Sequence, residues 1–306
     1  MIQYSVIIPV YNGETTVKPL FKRLKAFFEA SAYTYEVIFV YDCGKDNSWK
    51  SLTELKIAYS KDIKLVKLSR NFGQHNALIC GFEHATGSYV ITMDEDLQHA
   101  PEDINRLIDK QKEADFDVVY GKYEELSHSI FRNVSSRALK RIISIGIPDI
   151  HPDYSAFRLI KTSIAKSTIE MRNSYTFLDG YLSWITSNVS SCIVTHNERQ
   201  GGVSAYNLGK LINHSINIFV TFSDLPVRFL SKLSIGLLIA MCFFAGYIVV
   251  RKVVFNDLAL GYPSIILAIG FGVGLIMLAL GIIGEYIYRI NLKTTKRPNY
   301  NIDKVL

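Results

Sequence analysis

Three acids in a row, Asp94-Glu95-Asp96, follow the apolar run SYVITM. Carboxylates at i and i+2, where a strand gives way to a loop, can both turn toward one hard divalent cation. Such cations take oxygen ligands and commonly bridge phosphates. Mg²⁺ or Mn²⁺ held by Asp94 and Asp96 on a diphosphate is the first chemical expectation. An Asp-x-Asp pair alone is a weak signal, and its place after a strand gives it weight. Asp42 ends a second apolar run, EVIFVYD, and suits a hydrogen bond to a base or ribose. Arg70, Gln98 and Lys122 are candidate partners for a nucleotide or its phosphates. No GxxxxGK[ST] occurs and no GxGxxG follows a strand, which disfavours a nucleotide kinase or a dinucleotide-dependent dehydrogenase.

The elements that must carry these residues are legible. The runs 4–10, 36–42, 64–69, 88–96 and 117–121 read as short buried strands rich in β-branched residues. Helical spacing lies between them: Val17, Leu20, Leu24, Phe27 and Phe28; then Trp49, Leu52, Leu55 and Ile57; then 74–85 and 102–114. Strand and helix in alternation predict an α/β domain with an open, mostly parallel, Rossmann-like sheet. Ligands in such sheets sit beyond the carboxyl ends of the strands. Tyr11, Asn12, Asp42, Arg70, Asn71, Asp94, Asp96 and Lys122 all fall at those ends. Loops are polar in any protein, but that alone leaves acids at two adjacent strand ends unexplained.

Composition points to a membrane. The chain has 306 residues, 49% hydrophobic and 20% charged, too apolar for a disordered protein. Residues 1–228 read like a soluble domain, whereas 233–250 and 264–283 carry no charge. Each run is near the roughly 20 residues that span a bilayer; the alternative is a pair of buried core helices. Arg289, Lys293, Lys296, Arg297 and Lys304 outnumber Arg251 and Lys252 of the connecting loop. The positive-inside rule then places both termini and the soluble domain in the cytoplasm. The plan is a domain over 1–228, a two-helix membrane region over 229–290 and a cytoplasmic tail over 291–306. Within 129–146, Ile130, Phe131, Val134, Ala138, Ile142 and Ile145 form one stripe. Arg132, Arg137, Lys140 and Arg141 populate the rest, the pattern of a membrane-surface helix or of a solvated one. A second stripe within 206–222 leads toward the first span.

The net charge of +6 admits anionic lipid or phosphorylated substrates, and no basic run with interleaved aromatics suggests nucleic acid. The four cysteines are far apart, without a CxxC, so neither a disulfide framework nor a zinc site is expected. The seven histidines lack metal spacing, and no basic segment precedes the first apolar run as in a signal peptide. Glycines at 270, 272, 274, 281 and 284 are close-packing positions that permit a homo-oligomer.

SVIIPVYNGE, VYDCGKDNSW, LSRNFGQHNAL, ITMDEDLQHAPEDI, FRLI, RQGGVSAY, FSDLPVR and GEYIYRINLKTTKRPNY occur in that order. Together they resemble the bacterial polyisoprenyl-phosphate glycosyltransferases of glycosyltransferase family 2, relatives of dolichol-phosphate mannose synthase, over essentially the whole chain. The resemblance implies a GT-A fold. It implies inverting transfer of one sugar from a nucleotide sugar, by default a UDP-hexose, to polyprenyl (undecaprenyl) phosphate. The place is the cytoplasmic face of the bacterial inner membrane, and the product serves cell-surface glycan modification, as in lipopolysaccharide. By the same resemblance Pro9, Tyr11 and Asp42 hold the nucleoside, and Asp94 and Asp96 hold the cation, with Asp96 its direct ligand. Gln98 approaches the sugar or diphosphate, and Arg199 closes over the pyrophosphate. Arg132, Arg137, Lys140 and Arg141 are candidates for the acceptor phosphate and the lipid surface.

The chain departs from the family pattern at four places. Gly13 replaces a frequent Glu, for which only Glu14 could stand in. Tyr41 replaces the first acid of the second motif, Ala156 the acid before FRL, and Ala205 a lysine. The missing acid at 156 does not preclude activity. A phosphate monoester has a second pKa near ~6, so the acceptor is mostly dianionic at neutral pH and needs little proton removal. Positioning and leaving-group charge are the larger barriers. Asp153 is expected to orient the acceptor or the donor sugar, or else to cap the turn after Pro152. The alternative function is a non-catalytic nucleotide- or lipid-binding membrane protein on a degenerate fold. The retained Asp42, Asp94, Asp96 and Arg199 favour the enzyme. A processive synthase is disfavoured by the two spans and the lack of a QxxRW-like motif.

Overall fold

In a computed structural model the described residues are 2–123, 147, 149–171, 175–195, 262–294 and 298–306, with scattered positions between 217 and 254. The first strand, β1 (Tyr4–Val10), is buried over its whole length. β2 (Tyr35–Tyr41), β3 (Ile63–Leu68), β4 (Tyr89–Thr92) and β5 (Val118–Tyr123) lie near their predicted bounds. The helices between them are α1 (Val17–Ser31), α2 (Ser48–Ala58), α3 (Gln74–His84) and α4 (Ile104–Ala114). Helices cover both faces, so these strands are apolar on both sides rather than alternating. Val6, Ile8, Val37 and Phe39 pack toward α1, while Ile7, Ile38 and Val40 pack with Ala77, Cys80 and Phe82 of α3.

Further along come β6 (Arg158–Lys161), α5 (Thr162–Ser167), α6 (Leu178–Ile185), β7 (Val189–Val194), α7 (Tyr262–Thr294) and β8 (Ile302–Val305). The sheet order is β7-β5-β6-β4-β1-β2-β3-β8. β1 to β4 are parallel, and β5 pairs parallel with β7. β6 runs antiparallel between β4 and β5, and β8 runs antiparallel beside β3. The sheet is therefore mostly parallel, as expected, with two reversed strands. Those two and β7 escaped the sequence reading for physical reasons. β6 is four residues long and carries an arginine, β7 reads VSSCIV with a polar centre, and β8 is a charged edge strand, IDKV.

The strand predicted to run through residue 96 ends at Thr92. Beyond it the chain turns tightly: the Asp94 N–H donates to His99 Nδ1 at 3.0 Å, and the Gln98 N–H to Asp96 Oδ1 at 3.1 Å. This early exit explains Pro9, which would otherwise weaken a central strand. β1 pairs with β4 only over Tyr4–Ile7, and Ile7 faces β4, accepting from the Met93 N–H. Pro9 faces the same side, two residues on, where β4 has already left. Its missing N–H costs no ladder bond.

Among the described residues one helix is long and apolar enough to cross a membrane, with its span at Phe271–Asn291. It lies in α7, whose 33 residues reach beyond the predicted 264–283. In this extension Glu285 and Arg289, at i and i+4, pair at 2.7 Å. Arg289 also donates to Thr221 Oγ1 at 2.9 Å and Asn217 Oδ1 at 3.3 Å, and the Tyr286 hydroxyl donates to the Ser223 carbonyl at 3.2 Å. The described side chains of the span are exposed or half-exposed, not core. The tail does more than trail into solvent, because β8 completes the sheet. Lys67 and Asp303 pair across β3 and β8 at 2.7 Å, and the Tyr300 hydroxyl donates to Glu83 at 2.8 Å.

Candidate active site

Parallel strands deliver their carboxyl ends to one edge, and the loops there are laced together. Asn12, Cys43 and Leu97 hold positive φ, three of the five non-glycine residues that do so among those described. All three sit in these loops, and backbone strain collects at functional sites. Asn12 Oδ1 accepts the Lys45 N–H at 2.7 Å, and the Gly13 N–H donates to Ser48 Oγ at 2.7 Å. Asp46 accepts the Glu14 N–H at 2.9 Å. Glu14, expected near the nucleotide, accepts from the Asn47 N–H at 3.1 Å and its side chain at 3.2 Å. Tyr11 stands exposed at the mouth.

Asp42 is 2% exposed. Its two oxygens accept the Phe72 and Gly73 N–H groups at 2.7 and 2.8 Å. Burial raises its pKa, opposed by those two bonds. The residue expected to hold the nucleoside thus fixes the loop after β3, where Gly73 has φ +89°, a conformation that suits glycine. That loop carries Arg70, exposed, with its guanidinium 4.8 Å from the centre of the Phe72 ring.

The acid turn has its own supports. Gln74, at the start of α3, donates to Asp94 Oδ1 at 2.5 Å. His99 is buried between the rings of Phe157 and Tyr123, at centroid distances of 5.2 and 6.0 Å. Since its Nδ1 accepts from Asp94, its ring proton belongs on Nε2. Glu95 turns back, and its Oε1 accepts the Tyr11 N–H at 3.3 Å. Burial first, then Asp94 beside it, pushes the Glu95 carboxyl up to about 8.

Lys122, at the end of β5, pairs with Asp153 at 3.1 Å. Asp153 also accepts the Ser191 hydroxyl at 3.0 Å, and its N–H donates to His151 Nδ1 at 3.2 Å. Burial would raise this carboxyl, but the bonds from Lys122 and Ser191 outweigh it and hold the pKa below its usual value. Asp153 therefore braces β5 and β7 as well as its own turn. The sequence reading missed Gln74, Glu95 and His99. It also missed the buried pair of Arg158 and Asp179, each almost without solvent access. A lone arginine in FRLI and a lone acid in LDGYLSW were the available signals.

Asp94 and Asp96 fit a hard divalent cation by their chemistry, since both offer only oxygen. Among the described residues no group of three His, Cys, Asp or Glu side chains converges on one point. Two carboxylates completed by phosphate oxygens and water are the arrangement Mg²⁺ commonly adopts. Arg199, Arg132, Arg137, Lys140 and Arg141 lie outside the described residues, as do most of 206–222 and of the span 233–250.

Relatives match nearly end to end. The bactoprenol glucosyl transferase of Shigella phage SfX is 32% identical over 307 residues, 98% of this chain and 99% of that protein. The prophage bactoprenol glucosyl transferase homolog of Escherichia coli K12 is 31% identical over 310 residues, 99% of each chain. Among solved structures, glucosyl-3-phosphoglycerate synthase from Mycobacterium tuberculosis, with Mn²⁺, uridine-diphosphate-glucose and phosphoglyceric acid, aligns with a TM-score of 0.51. Its identity is 13%, covering 72% of this chain and 78% of that one. That likeness shows the fold alone, a GT-A-like α/β arrangement. The profile of glycosyl transferase family 2 matches residues 5–166, and together with the full-length relatives it shows that the chain belongs to that family.

Proposed function

We propose that this protein transfers a single hexose, with inversion, from a UDP-sugar to undecaprenyl phosphate at the cytoplasmic membrane face. The observation that carries the reading is the match to bactoprenol glucosyl transferases over 98% or more of the chain, well past residue 166, where the family profile ends. Glucose is the first donor sugar to test.

Asp94 and Asp96 would hold Mg²⁺ or Mn²⁺, which when bound offsets charge on the departing diphosphate. The other steps belong to the chain. Gln74 and His99 fix the Asp94 side chain and backbone. Pro9 and Tyr11, with the Arg70 loop held by Asp42, line the nucleoside side, and Gln98 reaches toward the sugar. Lys122 offers an exposed ammonium to phosphate oxygens, and Asp153 orients it. Arg199 closes over the diphosphate, and Arg132, Arg137, Lys140 and Arg141 meet the lipid phosphate and surface. No base is required, because the attacking phosphate is already mostly dianionic.

The membrane plan has a topological argument. β8 lies in the same sheet as β1 to β7, so the chain leaves and rejoins one domain on one side of the bilayer. An even number of crossings must lie between them. If α7 is one, 233–250 supplies the other. Ile239, Phe243, Tyr247 and Val250, at helical spacing there, are exposed. The plan is a catalytic domain over 1–228, two spans within 229–290 and a segment over 291–306 that returns to the sheet. The place is the bacterial inner membrane. The test supplies membranes holding the protein with UDP-[¹⁴C]glucose and undecaprenyl phosphate. Label should move into the organic phase only when cation and lipid phosphate are both present.

A further inference from the structure

Glu95 is unlike its neighbours. Asp94 and Asp96 are the acids that suit a cation, whereas Glu95 turns back. Its Oε1 accepts the backbone N–H of Tyr11, in the loop after β1. That loop has a gap where Glu95 arrives. A Cβ on Gly13 would lie 3.0 Å from Glu95 Cγ and 3.2 Å from methyl groups of Val10 and Val17. Glycine at 13 therefore makes room for the Glu95 side chain. Glu14, the other acid of this loop, is engaged with Asn47. Glu95 is thus the acid that joins the β1 loop to the turn after β4.

We propose that Glu95 is a positioning residue for nucleotide binding. Its side chain crosses from the cation-binding turn; its carboxyl receives the Tyr11 N–H, and its Cγ fills the space beside Gly13. It thereby sets the spacing between the nucleoside side and the diphosphate side of the site. The proposal rests on the glycosyltransferase reading only for the identity of the nucleotide.

The test uses the full-length protein in detergent and titrates UDP in the presence of Mn²⁺ by calorimetry. Glu95→Ala should weaken UDP about five- to tenfold, the range expected from one lost hydrogen bond. Glu95→Gln keeps an acceptor of the same reach and should stay within about twofold of wild type. Gly13→Ala should weaken UDP in the wild-type background by displacing Glu95, and should add little to Glu95→Ala. In transfer assays Glu95→Ala should raise KM for the sugar nucleotide and leave KM for the lipid phosphate unchanged. Melting temperatures identify any variant that fails to fold, and Glu95→Gln and Gly13→Ala then still decide the matter. Unchanged UDP binding in Glu95→Ala would overturn the proposal. So would a Glu95→Gln defect relieved by more Mn²⁺, which makes the residue a charged ligand, or full additivity with Gly13→Ala. Wild-type protein that binds UDP but transfers nothing would defeat the proposed function and leave this inference standing.

Discussion

Arg158 and Asp179 share an ion pair with almost no access to water, and further hydrogen bonds hold it. Arg158 Nε donates to Thr92 Oγ1 at 3.0 Å, and the Tyr120 hydroxyl donates to Asp179 Oδ1 at 3.0 Å. Breaking such a pair from one side leaves a buried charge uncompensated, at a cost of about 3–5 kcal/mol. Arg158→Met is therefore expected to lower unfolding stability by that order in chemical denaturation. Glu36 gives a pH-dependent case. It is buried, yet accepts from Ser5 Oγ at 2.6 Å and from the Thr86 N–H and hydroxyl at 2.7 and 2.8 Å. Burial would raise its pKa; these bonds and Lys64 outweigh burial and lower it. Its contribution is complete above the unfolded value of 4.5 and is lost as pH falls through the lower folded value. Glu36→Gln should flatten the acid limb of the stability profile below about pH 5. The acids at the strand ends were legible in the sequence, because residue type and the end of an apolar run are local facts. The tasks of Asp42 and Glu14 were not, because their partners lie about thirty residues away in other loops.

At the scale of elements, burial on both faces lets an apolar run be read as a strand, and five strands were found that way. β6, β7 and β8 were hidden because short, polar or edge strands carry no such run. Close packing of helix on sheet depends on a position that spacing alone does not flag. A Cβ on Gly81 of α3 would lie 2.3 Å from Ile7 Cγ2 in β1. Overpacking of this kind costs about 1–3 kcal/mol. Gly81→Ala is therefore expected to lower the melting temperature by several degrees, and Ile7→Ala, which removes Cγ2, should cost less in that background than in the wild type. No change in melting temperature would mean that α3 sits farther from β1 than described.

For the whole molecule, the C-terminal strand brings the chain that follows α7 back to the sheet beside β3. The two apolar runs were plain in the composition, but the return of the tail to β3 was not, since IDKV reads as a charged end. In the proposed two-span plan the 251–261 loop lies on the far side of the membrane. In a cysteine-free background, Asp257→Cys should react with an impermeant maleimide added outside intact cells, and Asp303→Cys only after lysis. Labelling of both from outside would refute the two-span plan.

Mass spectrometry of the lipid product tests the transfer of a sugar from nucleotide to lipid phosphate. Purified full-length protein would receive Mg²⁺ or Mn²⁺, undecaprenyl phosphate and, one at a time, UDP- and GDP-sugars, beside an Asp96→Ala control. Undecaprenyl phosphate heavier by one hexose residue is expected with a UDP-hexose, and no such species in the control. Folded protein that binds nucleotide and lipid phosphate but yields no lipid-linked sugar from any donor would contradict it.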